Sequence, residues 1–222
     1  MNRVSILVMA GGLLFGCGAD AAAPRTENAD AAYLASQGIT VPGELVLAKR
    51  VDDKDGAHVL VLSRKAGASP SAPRSGRTEH IALEAAYYAR QGQAWSQVWT
   101  VRDLVDCPGL DSAAAFFGAA VTVTDLNADG KAEVTIPYKL SCGGGVDSAQ
   151  IKIILREGPL KLAVRGESRV ELPGQEAFGG EHTYDKALLA PARAVYKQHM
   201  DKVWAAVSVD RRKSAVGVSS TR

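Results

Sequence analysis

Long apolar runs, an excess of either charge and closely spaced cysteines are all missing from this chain. No apolar stretch in the body of its 222 residues reaches the 18 or so that a spanning helix needs. Lys and Arg number 26 against 24 Asp and Glu, a net charge of +2. So even a balance leaves no electrostatic footprint for nucleic acid and no polybasic patch for an anionic bilayer. With three cysteines and no CxxC, neither a zinc ribbon nor a dithiol redox motif is present. HExxH, a Walker loop and a G-x-S-x-G elbow are absent as well. What remains is ordinary globular composition, 46% hydrophobic and 23% charged, and a length suited to one moderate domain or two small ones.

The N-terminus carries an address. Arg3 precedes an apolar segment of about a dozen residues, too short to span as a helix, and small Gly16 stands before Cys17. Leu14, Gly16 and Cys17 resemble the lipobox of a bacterial lipoprotein signal, although Phe15 is bulkier than usual between them. The resemblance implies cleavage after residue 16, diacylglycerol on the Cys17 sulfur and a membrane partner through that lipid anchor. A plain secretory signal cut near 19–23 is the competing reading. Gly18 is not the aspartate that retains such proteins at an inner membrane. The expected location is therefore exported and membrane-anchored, at the outer membrane facing periplasm or cell surface if the cell is Gram-negative.

The expected organisation is a signal over 1–16, a flexible tether over 17–43, one β-rich domain over 44–208 and a polar tail over 209–222. With Cys17 lipidated, Cys107 and Cys142 are left as an even pair in an oxidising compartment. Closing that 35-residue separation stabilises by roughly 3–4 kcal/mol. Two buried free thiols are the alternative.

The body reads as successive hairpins. Residues 44–51 and 58–62 flank an Asp55-Gly56 turn, and 80–90 and 94–105 flank Gln91-Gly92-Gln93. Residues 119–124 and 133–140 flank an Asp-rich loop, and 150–156 and 161–167 flank Glu157-Gly158-Pro159. Four hairpins of similar size predict an antiparallel meander curled into a sandwich or open barrel. After Pro191, the spacing of Val195, Tyr196, His199, Val203, Trp204 and Val207 predicts an amphipathic helix over 191–208 packing on the sheet, with a membrane-surface helix as the alternative. The fold class expected is mainly β with a C-terminal helix, α+β.

One loop carries chemistry. Asp125, Asn127, Asp129, the Lys131 carbonyl and Glu133 stand at positions 1, 3, 5, 7 and 9 around Gly130. Oxygen donors at that spacing converge in calcium loops, so Ca²⁺ is the cofactor expected here. Position 12 is Ile136 rather than a bidentate glutamate, so the loop is not an EF-hand. It resembles the calcium hairpins of integrin-type propeller repeats, which also stop at position 9 but usually with Asp. The competing reading is a long turn whose Asp, Asn and Gly serve positive φ and local hydrogen bonds.

Weaker candidates are His58, His80, His182 and His199, which read as satisfied structural histidines. Glu181, His182 and Asp185 could supply an acid–base pair. Trp95 and Trp99, read on one strand face, could form a sugar-stacking platform or core packing.

Across 98–166 the chain resembles a family of exported bacterial proteins named for surface polysaccharide biosynthesis. The carrying residues are Trp99, Asp103-Leu104-Val105-Asp106-Cys107, the run from Val121 through Asp125, Asp129 and Glu133 to Val134, Tyr138-Lys139-Leu140-Ser141-Cys142, and Arg165-Gly166-Glu167. The resemblance implies an envelope or capsule role with an envelope protein or glycan as partner, and brings no catalytic residue with it. The expectation is a binding or scaffolding lipoprotein, with a periplasmic glycan-modifying enzyme as the alternative.

Overall fold

The computed structural model describes residues 22–71, 78–143 and 145–212. The signal segment, Cys17 and the tail beyond 212 lie outside them. Among the described residues, thirteen strands and two α-helices follow in order. The first sheet runs β1 (Arg25–Ala29), β2 (Glu44–Asp53), β3 (Gly56–Gly67), β4 (His80–Gln91) and β5 (Ala94–Asp106), each antiparallel to the next. The second is built on β6 (Asp111–Phe116), β8 (Glu133–Gly143), β9 (Gln150–Glu157), β10 (Leu160–Glu167) and β12 (His182–Tyr184), with β7 (Thr122–Thr124) also pairing β8. Both sheets keep free edges, so the architecture is an open sandwich rather than a closed barrel. All four hairpins expected from the turn chemistry are present as β2–β3, β4–β5, β7–β8 and β9–β10.

The sheets meet through one core. Leu60, Leu62, Leu83, Tyr87, Trp99 and Val101 of the first pack on Val134, Ile136, Tyr138, Leu140 and Ile154 of the second. The opposite face of the second sheet is covered by α2 (Ala194–Val207), which follows a 3₁₀ turn at Pro191–Arg193. Tyr196, Met200, Val203, Trp204 and Val207 of α2 pack on Ile151, Ile153, Leu155, Leu162 and Val164. Each such side chain contributes about 1.5–3 kcal/mol when fully buried. Met200, absent from the expected stripe, is fully buried, whereas Val195 is exposed.

The tether expected over 17–43 is corrected where the structure describes it. Residues 25–29 form β1 on the edge of β2, and α1 (Ala31–Ser36) follows, capped by Asp30, whose Oδ1 accepts from the Tyr33 amide at 2.8 Å. Leu34 and Ile39 then bury against Ala48, Val59 and Val61 on the outer face of the first sheet. This explains why β3 is apolar on both faces: His58, Leu60 and Leu62 face the second sheet while Val59 and Val61 lie under α1. The expected polar tail likewise begins with β13 (Val209–Arg211), which pairs in parallel with β11 (Arg169–Glu171).

Cys107, just past β5, is bonded to Cys142 in β8, with Cα atoms 5.6 Å apart. The bridge ties the two sheets at one end of the sandwich.

Candidate binding site between the sheets

At the opposite end of β8, three turns converge. The first is the Asp-rich loop. Asp125 accepts from the Asp129 amide (3.0 Å) and the Gly130 amide (2.9 Å) through its two oxygens. Asn127 Oδ1 also accepts from the Asp129 amide, and Asp129 Oδ1 from the Lys131 amide. These bonds hold Gly130 at φ +85° and Ala128 at φ 58°, in the left-handed region where a non-glycine residue is strained. Glu133 turns the other way. It is fully buried, and its Oε2 accepts from the Leu126 amide (2.8 Å) and the Thr124 hydroxyl (3.1 Å). Burial pushes its carboxyl above the ordinary range, against the pull of those bonds. Four of the five expected calcium donors, Asp125, Asn127, Asp129 and Glu133, thus accept from the loop's own backbone. Among the described residues no three His, Cys, Asp or Glu side chains stand together as a metal-holding group.

The loop instead clasps the β2–β3 turn. Gly130 O accepts from the Lys54 amide at 2.9 Å, and Asp129 O from Lys54 Nζ at 3.2 Å. Lys131 Nζ donates to Asp55 Oδ2, and the Ala132 amide to Asp53 Oδ2, both at 2.8 Å. The third turn, β9–β10, joins through α2. The Tyr196 hydroxyl donates to Glu157 Oε2 at 2.8 Å and accepts from Asn127 Nδ2 at 2.9 Å. Burial and that Glu157 carboxylate together push the Tyr196 phenol up.

Between these turns lies a pocket of about 220 Å³, lined by Asp53, Asp55, His58, Tyr87, Trp99, Lys131 and Glu157 among others. One wall is a continuous stack. His58 lies on Tyr87 (5.0 Å, 11° between planes), Tyr87 on Trp99 (5.0 Å, 8°), and the Arg156 guanidinium over Trp99 at 5.5 Å. One polar atom of this wall, the Tyr87 hydroxyl, is buried without a hydrogen-bond partner, in a residue only 5% exposed, and His58 Nδ1 stands 3.5 Å from Asp53 Oδ1. Leaving such a hydroxyl unpaired costs about 1–3 kcal/mol. Burial, reinforced by Asp53, Asp52 and Asp55, drives the Tyr87 phenol far above its ordinary value, so it stays protonated and able to donate.

The other expected candidates do not converge. A register shift between Tyr87 and Tyr88 leaves Val98 as an extra residue in β5, so Trp95 and Trp99 fall on opposite faces. Trp95 packs under α1, its Nε1 donating to Gln37 Oε1 at 3.0 Å, and only Trp99 reaches the pocket. The shared platform is corrected by this bulge. His182 shares a hydrogen bond with the Tyr184 hydroxyl, which donates to Asp201, while Asp185 pairs with Arg165. His182 and Asp185 are therefore engaged with different partners. Burial works against ionisation of Asp201, but bonds from Lys197 and Tyr184 outweigh it and hold that carboxyl low. A larger groove of about 500 Å³ beside Arg165, Gly166 and His182 has its two cations paired, Lys152 with Asp103 and Arg165 with Asp185. His199 Nε2 lies within hydrogen-bond reach of the Thr122 and Thr135 hydroxyls, a structural histidine as expected. His58 is held by its stack on Tyr87 and by Asp53, whose Oδ1 lies 3.5 Å from its Nδ1.

His58, Tyr87 and Arg156 were not legible as site residues. Each sits in an ordinary strand; the pairing of β3, β4 and β5 stacks His58 and Tyr87 with Trp99, and Arg156 comes to Trp99 from β9 of the second sheet. No protein-family model, no curated protein and no solved structure matches this chain.

Proposed function

We propose that this is an exported, lipid-anchored protein of a bacterial envelope that serves surface polysaccharide biosynthesis by binding rather than by catalysis. The observation that carries the binding role is the inter-sheet pocket of about 220 Å³, whose lining sets the Asp55 and Glu157 carboxylates beside the His58–Tyr87–Trp99 stack. A concave site that joins apolar and aromatic walls to a few polar groups is the usual form of a ligand pocket. The lipobox-like Cys17 and the disulfide fit an oxidising, membrane-attached setting. The Asp-rich hairpin we infer to be a clasp between the sheets rather than an ion cage. Melting curves in millimolar Ca²⁺ and in chelator are then expected to superimpose. A rise with Ca²⁺ that Asp125→Ala removes would restore the cage.

The test uses the purified full-length protein and surface polysaccharide extracted from the host cell. Retention of the protein on immobilised polysaccharide, with the glycan's size and composition unchanged, supports the reading. A glycan shortened or altered after incubation would make the protein an enzyme, and neither retention nor change would overturn the binding role. Cys17→Ser should move the protein from the membrane to the soluble fraction, and unchanged fractionation would remove the anchor from the account.

A further inference from the structure

The balanced charge of the whole chain hides an uneven distribution. Residues 186–202, from the turn after β12 into α2, carry four cations, Lys186, Arg193, Lys197 and Lys202, against one carboxylate, Asp201. Lys197 and the Tyr184 hydroxyl already donate to that carboxylate, each at 2.8 Å. The same stretch leaves apolar side chains in the open. Leu189 and Val195 are 57% and 39% exposed, with Ala190, Pro191 and Ala194 exposed between them. By contrast, three exposed apolar residues near the disulfide, Leu104, Leu110 and Val146, stand beside Asp103, Asp111 and Asp147. Apolar side chains flanked by cations fit the surface of an anionic bilayer, where the apolar groups enter the headgroup boundary and the cations meet lipid phosphates.

The path of the chain brings the same surface towards a membrane. Arg25, the first residue of β1, pairs with Asp52 beside the β2–β3 turn. The Lys54 amide of that turn donates to Gly130 O of the Asp-rich loop, and Asn127 of the loop donates to the Tyr196 hydroxyl in the first turn of α2. The start of β1 and the exposed start of α2 therefore share one end of the sandwich, opposite the disulfide. Cys17 stands eight residues before Arg25, and eight extended residues reach at most about 28 Å. From this we infer that the Leu189–Val195 surface seats on the anionic face of the bilayer that holds the lipid at Cys17. Leu189 and Val195 lie at the headgroup boundary, with Lys186, Arg193 and Lys202 over lipid phosphates. The inference rests on the lipid anchor proposed above and adds an orientation: the lipid holds the protein, and this surface turns the disulfide end away from the membrane.

The test uses the lipidated protein in vesicles of phosphatidylglycerol and phosphatidylcholine with brominated acyl chains, which quench any indole that reaches them. A tryptophan reporter is placed at each end, Leu189→Trp and Leu110→Trp, and the wild type gives the background of Trp95, Trp99 and Trp204. The added emission of Leu189→Trp should shift to the blue and be largely quenched, and that of Leu110→Trp should do neither. Lys186→Glu with Arg193→Glu, in the Leu189→Trp background, should cut the quenching severalfold, as should vesicles of phosphatidylcholine alone. Equal quenching at the two ends would overturn the orientation. Quenching indifferent to the charge reversals and to the lipid would overturn the anionic surface. Protein that floats with the vesicles while neither tryptophan is quenched would overturn the contact, with the anchor left standing and the surface left to a protein partner. A wild type that does not float would remove the anchor and overturn the contact with it.

Discussion

The two ends of β8 are held in opposite ways. At Cys142 the strand is joined covalently to the end of β5, so the sheets are tied there whatever their polar groups do. At Glu133, the other end of the same strand, the sheets are tied only by hydrogen bonds among the Asp-rich loop, the β2–β3 turn and, through Tyr196, the β9–β10 turn. Buried polar atoms without a hydrogen-bond partner stand at both ends, the Tyr87 hydroxyl, Glu133 Oε1 and Arg156 Nε at the second and His80 Nδ1 and Asp106 Oδ1 near the disulfide. The ends therefore differ in how they are tied, covalently at Cys142 and by hydrogen bonds around the pocket at Glu133.

Breaking the locked end should have the largest effect. Cys107→Ser with Cys142→Ser should lower stability by about 3–4 kcal/mol, and the melting temperature by roughly 10 °C, in calorimetry of the purified protein. Next comes the clasp. Asp53→Ala strips acceptors from the Asp55 and Ala132 amides, and should cost about 1–3 kcal/mol in denaturant unfolding. A loss as large as that of the disulfide would erase the contrast between the ends.

The Glu133 carboxyl sharpens the comparison through pH. Its folded-state pKa is raised by burial, so between the unfolded and folded values the native state binds more protons than the unfolded one. Stability from this group is therefore greatest below the ordinary carboxylate range and is lost as pH rises through the raised value. Glu133→Gln should flatten that part of the stability–pH profile and gain relative to wild type towards neutrality. Parallel profiles would show that the buried carboxylate carries no such penalty. The smallest effect is expected at Ala128, where Ala128→Gly relieves a left-handed backbone and should change stability by no more than about 1 kcal/mol.

The sheets were readable in the sequence because turn chemistry is local. Asp55-Gly56, Gln91-Gly92-Gln93 and Glu157-Gly158-Pro159 each mark a hairpin without reference to the rest of the chain. The α2 stripe was readable for the same reason, save for Met200. The six-residue α1 was not, since fewer than two turns display no periodicity, and β1, Arg-Thr-Glu-Asn-Ala, is almost entirely exposed and shows no alternation. Its signs were Asp30 as a cap and Leu34 and Ile39 as isolated apolar residues. The pocket was hidden by register. Asp53, Tyr87, Trp99 and Glu157 lie on different strands and turns, and one extra residue at Val98 decides which tryptophan joins them. The Asp-rich loop stood out by its spacing, and spacing alone does not tell oxygens aimed at an ion from oxygens accepting their own backbone amides.

The most direct test of the contrast between the ends is thermal unfolding of wild type, of Tyr87→Phe and of the variant carrying Cys107→Ser with Cys142→Ser. The account predicts that Tyr87→Phe, which removes a buried hydroxyl without a hydrogen-bond partner, melts no lower than wild type, while loss of the disulfide lowers the melting temperature by roughly 10 °C. A Tyr87→Phe variant that melts well below wild type, or a double serine variant that melts with wild type, would contradict it.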